Sequence, residues 1–170
     1  MTRPPADSDL ATLARERAWP VRVADAAMRF ILVVAYRLLY AYWFVARPRT
    51  HGAYVLAWWQ GQLLLIRHAY KPFLFVPGGS PSRGESYRDA AARELREEVG
   101  IAVEASRLQR VGQLVNGHEH KYDIVEVFEI VLEDAPEIRI DGREIVWAGF
   151  RPARELGALD LSPLTGDFVR

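Results

Sequence analysis

The longest apolar segment of the chain runs from Val21 to Arg47 and has the period of an α-helix. On a wheel of about 100° per residue, its charged residues and several of its aromatic residues share an arc of about 120°. These residues are Arg22, Asp25, Arg29, Tyr36, Arg37, Tyr40, Trp43 and Arg47. Pro48 ends the segment, because proline has no amide proton to continue a helix. The pattern predicts an apolar, amphipathic helix over residues 21–48.

Three placements suit this helix: packing on the rest of the chain or on a second subunit, lying on a membrane surface, and spanning a membrane. Between Phe30 and Ala46 only Arg37 is charged, and an arginine costs about 2.5–3.5 kcal/mol at the bilayer centre. The Leu, Ile, Val and Phe residues of that stretch each favour insertion by about 0.3–0.6 kcal/mol. The balance is close to zero, so all three placements stay open, including a homodimer or a peripheral membrane contact through residues 21–47.

After Pro48 the pattern changes to short apolar runs with turn residues between them, which is typical of strands. HGAYVLAWW (51–59) and QLLLIRH (62–68) flank a Gln-Gly turn, and FLFV (73–76) leads into the loop PGGSPSRG. Further strand-like runs flank Asn116-Gly117 and Asp141-Gly142, and PARELGALDLSP predicts a short helix with a closing loop. With one helix between the strands, the pattern predicts an α/β domain with a mixed sheet.

The predicted boundaries are a disordered polar tail over 1–20, the helix over 21–48, the domain over 49–163 and a C-terminal tail over 164–170. The chain has 170 residues, no cysteine and a formal net charge of zero. The absence of cysteine excludes disulfides and thiolate metal sites and suits a cytoplasmic protein. Two of the three placements of the helix would associate that protein with a membrane. The balanced charge gives no reason to expect a nucleic-acid partner.

An unusual density of carboxylates marks the segment GESYRDAAARELREEVG (84–100). Ala91, Leu95 and Val99 recur every four residues and predict the buried stripe of a helix. Glu94, Glu97 and Glu98 then share another face, where like charges cost a few tenths of a kcal/mol per pair and oppose the helix dipole. Such a face is either solvated and partly neutralised by neighbouring arginines, or completed by a hard cation such as Mg²⁺.

The same segment resembles the Nudix box, G-x5-E-x7-R-E-U-x-E-E-x-G-U, in which U is a bulky aliphatic residue. Every fixed position is filled at the required spacing, by Gly79, Glu85, Arg93, Glu94, Leu95, Glu97, Glu98, Gly100 and Ile101. The resemblance covers about residues 50–163. It implies the Nudix fold, a mixed β-sheet sandwiched between helices, and hydrolysis of a nucleoside diphosphate linked to another moiety X.

The resemblance also implies the roles of the box residues. Glu94, Glu97 and Glu98 are the expected catalytic residues and, with the backbone carbonyl of Gly79, the expected ligands of Mg²⁺ or Mn²⁺. Glu85 is expected to pair with Arg93 and support the site. Glu98 or Glu94 is the favoured general base, with Glu119 and Glu144 as more distant candidates.

Outside the box, Arg67, His68 and Lys71 end a strand near the glycine loop, and we consider Arg67 and Lys71 as phosphate contacts. An exposed strand end explains each of them equally well. His118 and His120 lack further zinc ligands and favour a solvated hairpin. The tryptophans are assigned to the core by default, although an indole can stack on a base: Trp58, Trp59 and Trp147.

Two functions remain in competition. One is a metal-dependent pyrophosphohydrolase acting on a small nucleotide-type substrate. The other is a non-catalytic Nudix domain that senses a nucleotide and signals through the N-terminal helix. Because such domains usually lose box glutamates and this chain keeps all of them, the enzyme is favoured. An isopentenyl-diphosphate isomerase is excluded, because the chemistry of that family relies on a cysteine.

Overall fold

A computed structural model of the chain describes residues 19–169. Its helices are α1 (Trp19–Ala46), α2 (Tyr87–Val99) and α3 (Pro163–Val169). Its strands are β1 (Arg49–Trp59), β2 (Gln62–His68), β3 (Gly78–Gly79), β4 (Gln109–Asn116), β5 (Tyr122–Val131) and β6 (Ile145–Pro152). The described residues also contain three 3-10 turns, at Ala105–Arg107, His118–His120 and Ala153–Ala158.

The six strands form one mixed sheet in the order β4-β5-β1-β2-β6, with β3 paired to β1. The β1–β5 pair is parallel and the other pairs are antiparallel. The predicted Gln-Gly turn joins β1 to β2, and both Gln60 and Gly61 adopt positive φ, as a tight hairpin turn requires. The mixed sheet expected from the sequence is therefore confirmed.

Each face of the sheet buries its own apolar cluster. Alternation along β1 sends Val55 and Ala57 towards α2, and Leu56 towards α3 and the last 3-10 turn. The same alternation along β2 separates Leu64 from Leu65. The sheet is thus sandwiched between helices, in agreement with the predicted Nudix fold, and α2 is fixed against one face by its own buried stripe.

Four local predictions are wrong. The segment PGGSPSRG was expected to be loop throughout, but Gly78 and Gly79 form β3, which pairs with β1. Residues 164–170 were expected to be a tail, but residues 163–169 form α3, which Ser162 caps by accepting a hydrogen bond from the Thr165 N–H (3.1 Å) and which buries Leu164. FLFV makes only two isolated bridges. IRI (138–140) is a loop, because the Asp141 carboxylate accepts hydrogen bonds from three following backbone N–H groups and closes a wider turn than a hairpin needs.

Helix α1 lies along the domain and contacts it through the polar arc predicted from the sequence. Asp25 is buried and accepts a hydrogen bond from Arg143 (2.8 Å), and Arg29 donates two hydrogen bonds to the Gly142 carbonyl (2.9 and 2.7 Å). The Tyr36 hydroxyl donates to Glu119 (2.7 Å). The predicted tail over 1–20 lies outside the described residues except for its last two, which belong to α1.

By length and composition, residues 23–46 of α1 are also apolar enough to cross a membrane. Their most apolar window is not buried by the described part of the chain. The helix therefore combines a polar side engaged with the domain and an apolar side that the described residues leave uncovered.

Candidate active site

The acidic helix α2 has well-defined ends. Ser86 caps its first turn by accepting a hydrogen bond from the Asp89 N–H (3.1 Å), and Gly100 ends it in the left-handed conformation (φ 77°). Because Leu95 and Val99 are completely buried under the sheet, the face that carries the three box glutamates is turned away from this core. Local sequence therefore fixes where these carboxylates lie.

The glycine loop meets this acidic face directly. β3 pairs with β1, and the Gly78 N–H donates a hydrogen bond to Glu98 Oε2 (2.9 Å). A Cβ atom placed on Gly79 would lie only 2.6 Å from Glu94 Cδ. The backbone at Gly79 thus approaches Glu94 more closely than a side chain at that position would permit.

Arg93 organises the loop and the helix together. Its guanidinium donates to both carboxylate oxygens of Glu85 (2.9 and 3.0 Å) and to the Ser80 carbonyl (3.1 Å). The same group donates to Glu94 (2.8 Å) and Glu97 (3.0 Å). Hydrogen bonds from Arg93 lower the pKa of Glu85 to about 2, so this support is ionised throughout the neutral range.

Two of the box glutamates are shielded from water. Burial raises the pKa of Glu98 well above its usual value, against the Gly78 hydrogen bond that lowers it, and the Glu94 carboxylate raises it further. Burial likewise raises the pKa of Glu94, although Arg93 opposes the effect. Desolvated carboxylates that repel one another are stabilised when a cation lies between them.

The donor set fits a hard divalent cation, because it consists of carboxylate and carbonyl oxygens without thiolate or imidazole. Within residues 19–169, however, no three Asp, Glu or His side chains already converge as a metal cluster. Arg93 accounts for this arrangement, since it holds one oxygen of Glu94 and one of Glu97. A cation would therefore draw these two carboxylates partly away from the guanidinium.

A cavity of about 490 Å³ opens beside the acidic face, within the range of small-molecule sites. One wall is the glycine loop and the box glutamates, and the others carry Tyr54, His68, Tyr70, Lys71, Asp141, Glu144 and Ile145. Lys71 is the one cationic side chain among these lining residues, and its Nζ lies 3.0 Å from Glu119 Oε1. The structure thus brings together the metal-binding candidates and one of the two predicted phosphate contacts.

Other predicted residues lie elsewhere. Arg67 is exposed and does not line the cavity, because side chains alternate along β2 and neighbouring Ile66 faces α2. Glu119 is held beside the cavity by Lys71, Lys121 and Tyr36. His120 packs edge-on against Tyr40 and Phe44 of α1, so the solvated-hairpin expectation is wrong for this residue. The three tryptophans are not among the lining residues.

Asp141 and Tyr54 line the cavity and were missed by the sequence reasoning. Asp141 was interpreted only as part of an Asp-Gly turn, and its approach to the site depends on tertiary packing. Tyr54 belongs to a continuous apolar run in which no pattern distinguishes a cavity-lining position from a core position. Neither residue carried a sequence signal that could have identified it.

The largely buried His68 gives a prediction for the pH dependence of stability. Burial, together with the nearby Lys71 charge, lowers its pKa from 6.5 to about 4, so its 4.0 Å approach to Glu144 is not an ion pair at neutral pH. Below pH 6.5 His68 is protonated in the unfolded chain but stays neutral in the folded chain. The free energy of unfolding therefore falls as the pH is lowered, until His68 is also protonated in the folded chain at about pH 4. In His68→Phe this decrease in the free energy of unfolding should be smaller by up to about 3 kcal/mol.

Phenylalanine suits the site, since His68 packs against the rings of Tyr70 and Phe75. Urea unfolding of both proteins at several pH values between 4 and 7 measures the difference. Equal pH slopes for the two proteins would contradict a neutral buried histidine.

Comparison with known proteins gives a consistent result. The sequence model of the family described as NUDIX domain matches residues 47–169. No curated protein matches the chain in sequence.

Solved structures share the fold at low identity. The chain is similar to a MutT NUDIX hydrolase from Burkholderia pseudomallei, with 21% identity over 71% of this chain and 95% of that chain and a TM-score of 0.63. It is similar to the NUDIX domain of Shewanella oneidensis NrtR complexed with ADP ribose, with 11% identity, coverage of 71% and 84%, and a TM-score of 0.63. A third similar structure is a bifunctional NMN adenylyltransferase/ADP ribose pyrophosphatase from Francisella tularensis complexed with AMP and Mn ion, with 16% identity, coverage of 82% and 46%, and a TM-score of 0.65.

Proposed function

Because the chain belongs to the Nudix family, whose domain spans residues 47–169, we propose that it is a divalent-metal-dependent pyrophosphohydrolase. The family in general hydrolyses nucleoside diphosphates linked to another moiety X, and the proposal gives this chain that phosphoanhydride chemistry. The observation that carries the proposal is the meeting of the glycine loop with desolvated Glu94 and Glu98 at the wall of a 490 Å³ cavity.

The box residues would hold the metal and the water. Glu94, Glu97, Glu98 and the Gly79 carbonyl are the proposed ligands of Mg²⁺ or Mn²⁺. When bound, such a cation neutralises phosphate charge and makes a coordinated water more acidic. Arg93 would keep Glu94 and Glu97 near their ligating positions while Glu85 and the Ser80 carbonyl anchor the guanidinium. Lys71, which lines the same cavity, would contact substrate phosphate.

Glu98 or Glu94 remains the proposed general base. Of the two more distant candidates, Glu144 lines the same cavity, whereas Glu119 forms ion pairs with two lysines and accepts a hydrogen bond from the Tyr36 hydroxyl. The ion pairs and the Tyr36 hydrogen bond lower the pKa of Glu119, although burial alone would raise it, and make it a poorer proton acceptor. Glu144 is therefore the third candidate.

A hydrolysis screen with Mg²⁺ or Mn²⁺ tests the proposal. We expect turnover of one class among nucleotide sugars, ADP-ribose, dinucleoside polyphosphates and oxidised nucleoside triphosphates, and loss of that turnover in a chelator. Release of nucleoside monophosphate or phosphate measures the rate. Folded protein that binds the metal but hydrolyses none of these substrates would contradict the proposal.

That negative result would favour the second candidate, a nucleotide-sensing domain. One observation supports it, namely the contacts of Tyr36 of α1. Its ring packs against Tyr70 (5.1 Å between ring centroids), and its hydroxyl donates a hydrogen bond to Glu119, the ion-pair partner of Lys71. Both Tyr70 and Lys71 line the cavity. A ligand in the cavity would thereby affect the packing of α1. Nucleotide binding without turnover, detected by calorimetry, distinguishes this function from hydrolysis.

A further inference from the structure

Helix α1 carries a continuous exposed apolar face, opposite the side that contacts the domain. The side chains of this face have high exposed fractions: Val45 82%, Phe30 70%, Leu38 68%, Tyr42 58%, Ile31 56% and Val23 51%. Contiguous exposed apolar patches on soluble proteins usually mark an interaction site. This outer face is the most extended uncovered apolar surface among the described residues.

The width of the outer face indicates what covers it. Between Val23 and Ala46 the charged residues are Asp25, Arg29 and Arg37, and none falls within the half of the helical wheel, about 180°, that is centred opposite the domain. A helix that pairs with a second copy has a narrower apolar seam, bordered by charged residues that fix its register. A face that is apolar over half the circumference suits a fluid apolar phase.

Charge around the helix favours anionic lipid. Arg37 is exposed at the edge of the outer face, and Arg47 and Arg49 are exposed just beyond the end of α1. Asp25 is the one acidic residue of α1, and it is buried against Arg143. The exposed charges near the outer face are therefore positive, and they complement the phosphates of anionic headgroups.

The contacts with the domain favour lying on the membrane over crossing it. They run from Asp25 to Phe44, which is about 28 Å along the axis at about 1.5 Å per residue. A crossing helix would have to break these hydrogen bonds and ion pairs or carry them into hydrocarbon. Residues 1–18 offer few large apolar side chains to cover the face, namely Met1, Leu10 and Leu13.

We propose that α1 lies in the headgroup region of an anionic membrane, with its outer face in the lipid and its polar side on the domain. The protein is then a peripheral membrane protein whose cavity stays beside the bilayer surface, because Tyr36 joins the helix to the cavity-lining Tyr70. The proposal does not depend on hydrolysis.

Flotation of the full chain with lipid vesicles tests it. We expect the protein to float with vesicles of phosphatidylcholine plus phosphatidylglycerol, and the double variant Ile31→Glu/Leu38→Glu to stay in the dense fraction. Val131→Glu is the matched control, since Val131 is also exposed (64%) but lies in β5. Arg37→Gln is expected to weaken binding to the anionic vesicles about fivefold, because a basic residue near the surface contributes about that factor.

Thermal unfolding without vesicles should show the same midpoint for the double variant and the wild type, because both substituted side chains are mostly exposed among the described residues. Wild-type protein that fails to float, or a double variant that floats equally well, would overturn the proposal. A wild-type dimer without lipid that becomes a monomer in the double variant would also overturn it, since a second copy would then cover the face. Retention in the membrane after alkaline carbonate extraction would show a spanning helix instead.

Discussion

Glu98→Gln is expected to lower kcat by about 10³-fold or more at saturating Mg²⁺, because it removes a charged ligand from the proposed metal site. Glutamine keeps the shape of the side chain and an oxygen that can accept the Gly78 N–H. The substitution therefore removes charge while leaving the local packing intact. Burial already favours the neutral form of Glu98, so the metal-free variant should be at least as stable as the wild type.

Thermal unfolding with and without Mg²⁺ separates this effect from a folding defect. A ligand present at 100 times its dissociation constant stabilises the folded state by about 2.7 kcal/mol. We expect this stabilisation in the wild type and in Glu133→Gln, a control whose side chain is 85% exposed and pairs only with Arg107 among the contacts of the described residues. If the Glu98→Gln protein keeps either its turnover or its stabilisation by Mg²⁺, Glu98 is not part of the metal site.

The parts of the site that the sequence predicted depend on short-range spacing. The offsets from Ala91 to Val99 place the apolar stripe and the glutamates on different faces of one helix, and helix geometry alone decides this arrangement. Glu85 and Arg93 are only eight positions apart. Glu85 lies just before α2 and Arg93 lies within it, so the short segment that leads into the helix brings them together. The polar arc of α1 was predictable for the same reason.

The remaining parts depend on long-range packing. Arg67 and Lys71 looked equivalent in the sequence, but only Lys71 lines the cavity, because strand alternation turns Arg67 to the other side of β2. Asp141 reaches the cavity through a loop that also contacts α1 at Gly142. Wheel analysis identified the polar side of α1 but not the residues that it contacts. Glu119 and Arg143 lie more than 80 residues from their partners in α1. Local pattern carries no information about such pairings.

The glycine loop provides the second large effect, in which alanine at two neighbouring positions should act differently. At Gly78 (φ 155°) a Cβ would meet backbone, namely the Ala53 carbonyl oxygen and Tyr54 Cα, the latter at 2.7 Å. Backbone cannot move aside without separating β3 from β1. We expect Gly78→Ala to lower the free energy of unfolding by about 3 kcal/mol or more, measured by urea denaturation.

At Gly79 the nearest obstacle is the Glu94 carboxylate, the far end of a flexible side chain. Glu94 can rotate away, so Gly79→Ala should cost much less stability, about 1 kcal/mol, while moving a proposed metal ligand out of place. Its expected signature is therefore a near-native unfolding curve with a loss of kcat of at least about 10²-fold. Retained turnover in folded Gly79→Ala would show that Glu94 need not keep its position, and equal destabilisation by both alanines would show that backbone, not Glu94, limits the space at Gly79.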